Sequence, residues 1–341
     1  MAAPMLPDSL NSSSIGRGLA LVLGVNGQDG SYLAERLLDR GWSVLGVGRQ
    51  PTLRWLSPVS GLGYHALDLC DLSALSELLH DTQPAAIFHF SAVHGSAGFS
   101  YEEHWKEVHA VNTISVHAIL EYLRCEAPEG VLIYASSSKV FGATLPDCIS
   151  ESSPRHSSCI YTTTKNAATD LIAYYRKRHG IKASVVWTFN HESPRRGSSY
   201  FIPQIVDTLA KSILDRDYTL AMETLSFWSD WGDAEEFMNI VVQIAEESPD
   251  TDLLLATGKT LWAEEFVDTL FRKYGRSWRD HLSERSAPAT ERPPQWRADL
   301  SALSAAINRT PAHTIYDVAE NILRTKHPEA WELAATLRTP G

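Results

Sequence analysis

The stretch "LALVLGVNGQDGSYLAERLLDRG", residues 19–41, constrains the fold more than any other. An apolar run of buried-strand length meets a turn carrying Gly24, Gly27 and Gly30, and an amphipathic helical pattern follows at once. In isolation a glycine triplet is as well explained by a tight turn. With a strand before it and a helix after it, close to the start of the chain, it favours a dinucleotide site. The glycines let backbone approach a pyrophosphate, while the helix start offers free N–H groups and the positive end of its dipole. Gly24, Gly27, Gln28, Asp29 and Gly30 are therefore candidate cofactor contacts.

The same alternation continues. Strands are expected near 19–24, 43–48, 63–67, 86–91, 130–136 and 182–189, with helices near 30–40, 72–81, 103–124 and 160–179. That pattern describes an α/β protein with a doubly wound parallel sheet. In the later half "FIPQIVDTLAKSIL" and "WAEEFVDTLFRKYG" read as helices and "DLLLATG" as a strand, and "SAPATERPPQWR" marks an exposed connection. Residues 1–17 read as a mobile tail, with no basic start or long apolar segment.

Composition excludes several classes. A net charge of -11 without a Lys/Arg cluster argues against nucleic acid as a partner. The apolar runs are too short to span a bilayer. The four cysteines, Cys70, Cys125, Cys148 and Cys159, form no CxxC pair and no zinc spacing, which points to a reduced, cytoplasmic protein and to no metal.

The second strand, "WSVLGVG", ends in Arg49-Gln50 instead of an acidic residue. A carboxylate there binds a ribose 2′-hydroxyl, whereas a guanidinium suits a 2′-phosphate, so NADP is favoured over NAD. Asp68 and Leu69, at the end of "YHALDL", are candidates for the adenine side; the plain alternative for Asp68 is a helix N-cap.

"YTTTK" sets Tyr161 and Lys165 four apart on one helical face, where the ammonium is expected to lower the phenol's pKa. Ser137 ends the preceding strand, "VLIYASS", and can share the same substrate oxygen. Ser, Tyr and Lys downstream of a glycine turn resemble the short-chain dehydrogenase/reductase constellation in its extended form. His89, His94 and His191 lie near this region, although a lone histidine is more often a packed residue. Trp228 and Trp231 read as core, and Cys159 as an inert thiol.

Longer motifs narrow the resemblance. "GVNGQDGSYLAERLL", "FNHESPRRG" (189–197), "SDWGDAEEF" (229–237) and "LLLATG" (253–258) together resemble the GDP-mannose 4,6-dehydratase family over nearly the whole chain. The resemblance implies a Rossmann domain over 18–190, completed by parts of 226–258, and a smaller C-terminal substrate-binding lobe, mainly 191–341. It implies NADP as cofactor and a nucleotide-sugar, with a GDP-sugar favoured, in the cleft between them. Carried over by position, Ser137 matches the family's catalytic threonine, Tyr161 its base and Lys165 its helix lysine. Asn190 falls near cofactor and substrate; His94, Arg195, Arg196 and Arg292 fall on the substrate side. A homodimer through the helices near 103–124 and 160–179 is implied too. The loop after the second strand is shorter than the family's, which departs from its tetramer contacts.

One departure concerns the chemistry. The family carries a glutamate that takes the C5 proton and helps expel the C6 hydroxyl, and this chain has Lys139 there. An ammonium has no lone pair, and neutralising it at pH 7 from a pKa of about 10.4 costs about 4.6 kcal/mol. Lys139 is then a candidate proton donor to a leaving hydroxyl, with the C5 base sought among Ser138, His94 and His191. Pro203-Gln204 replaces a basic pair and Ser229 an arginine, which reduces the grip on phosphate. The leading expectation is C4 oxidation of a nucleotide-sugar with C5/C6 dehydration. The alternatives are a 4-epimerase or 4-keto-reductase that never loses water, and a non-catalytic NADP-binding protein.

Overall fold

The computed structural model describes residues 17–95, 99–142, 145–287, 289 and 291–338, so the expected tail lies outside the described residues except for Arg17. β1 (Leu19–Leu23) is wholly buried and enters α1 (Gln28–Asp39) through the glycine turn. β2 (Ser43–Gly48), β3 (Leu62–Ala66), α2 (Leu72–Thr82) and β4 (Ala86–His89) follow. The cap of α2 is Asp71, whose carboxylate accepts from Ala74 N at 3.0 Å, which leaves Asp68 free of that duty.

The stretch expected as one helix over 103–124 is divided into α3 (Trp105–His109), a π-turn at Ala110–Ile114, and α4 (Ser115–Cys125). In the wider turn the Asn112 carbonyl accepts from the Tyr134 hydroxyl at 2.9 Å, and the Asn112 side chain accepts from Val93 N at 2.9 Å. Such widened turns gather at functional sites. This one ties the loop after β4 to the core.

β5 (Val131–Ser137), β6 (Cys148–Ile149), α5 (Ile160–His179), β7 (Lys182–Thr188) and β8 (Asn190–Glu192) complete the first half. The second half holds α6 (Phe201–Leu214), β9 (Leu220–Met222), β10 (Trp228–Asp233), α7 (Ala234–Glu247), β11 (Leu253–Leu255), β12 (Thr260–Trp262) and α8 (Ala263–Lys273). β13 (Leu282–Glu284), β14 (Arg297–Ala298), α9 (Ser301–Ile307), α10 (Ile315–Lys326) and α11 (Pro328–Arg338) end the described chain.

The main sheet is parallel, in the order β3-β2-β1-β4-β5-β7-β11. Leu21 sits between Leu45 and Ile87, so the strands are apolar on both faces, as a sheet covered twice requires. Leu75, Ile119 and Ile172, from α2, α4 and α5, cover one face. Leu33, Val241 and Leu303, from α1, α7 and α9, cover the other. Each such side chain is worth about 1.5–3 kcal/mol when fully buried. A separate core of Ile205, Leu209, Phe266, Leu270 and Ile322 joins α6, α8 and α10.

Strand order reverses between β1 and β4, and the crevice outside the carboxyl ends of the strands at such a point is where ligands bind in open α/β sheets. A three-stranded sheet, β12-β10-β8, stands nearby and aligns Trp231 with Asn190 and Asp233 with Glu192. Two sequence motifs that lie 40 residues apart thereby share one wall of the crevice.

Candidate active site

The crevice holds two adjoining pockets. One is lined by Gly24, Arg49, Asp68, Leu69 and Val93; the other by Gln28, Asp29, Gly30, His94, Ser137, Tyr161, Asn190 and Arg196. Gly27 lines both, so its backbone is the floor of a continuous groove over the start of α1. Gly27 is also the N-cap of α1 and makes no side-chain cap bond, which leaves the first-turn N–H groups for an anion.

The glycines are demanded by contact distances. A Cβ on Gly30 would stand 2.2 Å from the Gly24 carbonyl oxygen, and Gly24 itself has φ +91°. The turn is compressed onto its own backbone, which only glycine at these positions allows.

At the first pocket, Arg49 and Asp68 are exposed and Leu69 is buried. A residue without an evident sequence signal organises this end. Asn26 donates to Gln50 Oε1 at 3.1 Å and to the Thr52 carbonyl at 2.9 Å, and accepts from Arg54 N at 2.9 Å, which pins the loop that follows Arg49.

At the far end of the groove, β5 delivers Ser137 and α5 delivers Tyr161 and Lys165. Ser137 and Tyr161 line the same pocket, and the Ser137 side chain is close enough to act on the phenol. The Lys165 ammonium donates to the Ala135 carbonyl at 2.7 Å and stands 5.9 Å from the Tyr161 ring centre. Burial pushes the Tyr161 phenol well above its ordinary value, and Ser137 opposes this only in part. The expectation that Lys165 lowers it is therefore corrected for the protein alone. Lys165 is itself drawn down to about 7 by burial, which weakens it as a cationic partner.

Lys139 follows Ser137 on a 3-10 turn, Ser138–Phe141, and lines the same pocket. Its Nζ lies 3.0 Å from His94 Nε2, and the His94 ring packs edge-on against Tyr161 with centroids 4.7 Å apart. Burial, then Lys139, holds His94 down at about 4, so the imidazole is neutral and accepts from the ammonium. His89 is a packed residue: it is fully buried, with Nε2 2.8 Å from Ser115 Oγ.

"FNHESPRRG" forms the opposite wall. His191 Nδ1 faces the Phe189 carbonyl at 2.6 Å and Nε2 faces Asp29 at 2.9 Å, so both ring nitrogens meet acceptors. Burial works against the imidazolium, yet Asp29 raises its pKa on balance; burial likewise opposes the Asp29 carboxylate, yet His191 holds it well below the usual range. Gln28 donates to the His191 carbonyl at 3.2 Å and accepts from Ser193 Oγ at 2.8 Å. These bonds staple the start of α1 to β8, which is what Gln28 and Asp29 do with their side chains. Glu192, not anticipated from the sequence, is buried in this wall; its carboxyl is raised to about 7 by burial, and the Arg196 guanidinium 3.3 Å away opposes the shift.

The two neighbouring arginines part company. Arg196 lines the pocket and lies over the Tyr200 ring at 3.7 Å. Arg195 turns to α1, donating to Ser31 Oγ at 2.9 Å and Glu35 at 2.6 Å over the Tyr32 ring. It is a clamp on that helix and does not line the cleft, contrary to expectation. Arg292 pairs with Glu265 at 2.5 Å over Trp262 in a different surface pocket, and it too is outside the cleft lining. Asn190 lines the cleft and donates to Ser229 Oγ at 2.9 Å, so the serine that replaces an arginine serves to orient it. Trp231 is buried as expected, stacked on Phe201 at 5.5 Å, and also faces the cleft.

A groove across a glycine turn, closed at its far end by a Tyr-x-x-x-Lys helix, is the architecture of the extended short-chain dehydrogenases and reductases. Solved structures agree on the fold. UDP-glucose 4-epimerase of Thermotoga maritima matches with a TM-score of 0.74 at 16% identity, covering 94% of this chain and 100% of the other. dTDP-glucose 4,6-dehydratase of Bacillus anthracis matches at 0.75 and 14%, covering 93% and 99%. Sequence goes further: the family model described as GDP-mannose 4,6 dehydratase matches residues 21–303. GDP-mannose 4,6 dehydratase 2 of Caenorhabditis elegans is 32% identical over 278 residues, covering 76% of this chain and 71% of that protein. The chain belongs to the GDP-mannose 4,6-dehydratase family, within the nucleotide-sugar dehydratases and epimerases.

Proposed function

We propose that the chain is an NADP-dependent enzyme that oxidises a nucleotide-sugar at C4. The observation that carries this reading is the placement of Tyr161 and Ser137 together in the pocket that Gly27 joins to the dinucleotide end of the groove. Tyr161 takes the O4 proton while Ser137 orients that oxygen. Bound NADP supplies the hydride-accepting ring. Lys165 serves as ribose ligand and cationic neighbour of the phenol. Asn190 and Arg196 hold the sugar-nucleotide from the β8 wall, and Arg196 brings the planar fork that suits phosphate.

A second reading concerns the fate of the oxidised sugar. The position at which the family's glutamate is expected carries an ammonium hydrogen-bonded to a neutral imidazole, which favours return of the hydride to C4 without loss of water. Incubation with a panel of nucleotide-sugars and NADP, read by product mass, separates the two. Loss of one water supports dehydration, and unchanged mass with a new isomer supports epimerisation. If no nucleotide-sugar is oxidised or converted, the enzyme reading fails.

Cofactor choice rests on Arg49. Its exposed guanidinium on the first pocket favours NADP over NAD by at least about tenfold, or about 1.4 kcal/mol. Arg49→Glu should reverse the preference in titration, and equal affinities in the wild type would refute the assignment. Free Cys70, Cys125, Cys148 and Cys159 support a cytoplasmic setting, which imaging of the tagged chain checks. Exposed Trp105, Ile114 and Tyr174, on and between α3, α4 and α5, support a homodimer through these segments, for which molar mass in solution is the measure.

A further inference from the structure

We infer that the sugar this cleft accepts carries a carboxylate at C6, so that the substrate class is a nucleotide-linked hexuronic acid recognised by Lys139. The inference rests on the proposed reading of Tyr161 and Ser137 as the groups that hold O4.

Geometry selects the carbon. On a pyranose ring the neighbours of C4 are C3, which bears a hydroxyl, and C5, which bears C6. Lys139 sits two residues beyond Ser137, and its ammonium is separated from the Tyr161 ring by the single imidazole of His94. A group so close to the O4 anchors meets a substituent on one of those two neighbours. Only C6 among them can be oxidised to a carboxylate with the ring intact.

Charge selects the substituent. Four other charged side chains of the cleft wall are paired: Asp29 with His191, and Glu192 with Arg196. Lys139 has no carboxylate within ion-pair distance among the described residues; its partner is His94, which Lys139 and burial keep neutral. Burial also draws the Lys139 ammonium below its ordinary value, a shift that an opposite charge beside it would oppose. A C6 hydroxyl supplies no charge, whereas a carboxylate accepts from the ammonium and compensates it.

The chemistry is consistent with the position. In oxidation the C4–H bond breaks, its hydride goes to the nicotinamide and the O4 proton to Tyr161, leaving a C4 ketone. A hexuronate has no C6 hydroxyl to expel, so the absence of a carboxylate base at position 139 costs nothing. Return of the hydride to the opposite face of C4, with a proton to O4, gives the 4-epimer and restores the oxidised cofactor.

The test compares matched pairs, GDP-mannose with GDP-mannuronate and UDP-glucose with UDP-glucuronate, by calorimetric binding to the NADP-loaded protein. Within at least one pair the uronate should bind at least tenfold tighter. Lys139→Gln should remove that preference and Lys139→Arg should retain it, while a binding readout keeps the test independent of turnover. Equal or tighter binding of the neutral hexose, or a uronate preference that survives Lys139→Gln, overturns the inference and leaves C4 oxidation standing. If neither member of either pair binds, while NADP does, the nucleotide-sugar reading falls and this inference with it.

Discussion

Gly30→Ala should weaken NADP binding at least about a hundredfold, equivalent to about 2.7 kcal/mol. The new Cβ would lie 2.2 Å from the Gly24 carbonyl oxygen, 2.7 Å from its carbon and 2.8 Å from Val25 Cα. All three are backbone atoms in a compressed turn, so no side chain can move aside. Relief requires α1 to back away from β1, and that movement carries off the first-turn N–H groups that face the groove. Overpacking typically costs about 1–3 kcal/mol in stability, so thermal unfolding should be measured beside calorimetric titration to separate a lost site from a lost fold. Gly197→Ala is the control: its Cβ would meet nothing nearer than 3.9 Å, on the Tyr200 ring. A Gly30→Ala protein that binds NADP within threefold of the wild type would remove the glycine turn from the cofactor site.

How much of this was legible in advance depends on the range of the interaction. Buried strands and amphipathic helices are written in local periodicity, so β1, α1, β5 and α5 appear where the sequence puts them. Ser137, Tyr161 and Lys165 could be named because strand end and helix face are local properties as well. Three features lie beyond that range. The π-turn at Ala110–Ile114 answers to Tyr134 and Val93, partners distant in sequence, while the local pattern reads as plain helix. Arg195 and Arg196 are chemically equivalent neighbours, and only the position of Ser31 and Glu35 on α1 decides that Arg195 turns away. Glu192 and Asn26 matter because tertiary packing buries one in the cleft wall and surrounds the other with acceptors. The protonation of Tyr161 belongs to the same group. The four-residue spacing brings Lys165 close, but the resulting burial acts on the phenol more strongly than the lysine does.

That balance makes Tyr161→Phe the most telling change at the catalytic end. The variant should lose about a hundred- to ten-thousand-fold in hydride transfer, the usual worth of a positioned acid–base group, with NADP affinity nearly unchanged. In the proposed reading the phenol acts on the substrate oxygen and the turn at Gly24–Gly30 holds the dinucleotide, so the two effects should separate. The pH dependence has a defined sign. Burial raises the phenol above its ordinary value, so the deprotonated form that accepts the O4 proton is scarce at neutral pH and grows as pH rises. Wild-type oxidation should therefore accelerate from neutral into alkaline conditions, as monitored by nicotinamide absorbance in a single turnover. Tyr161→Phe should lose that slope along with the rate, because no group with the same titration remains on the O4 proton. A variant that keeps the wild-type rate shows that the base is elsewhere. One that is slow yet keeps the slope shows that the pH dependence belongs to another group, with Lys165, drawn to about 7 by burial, the first to test.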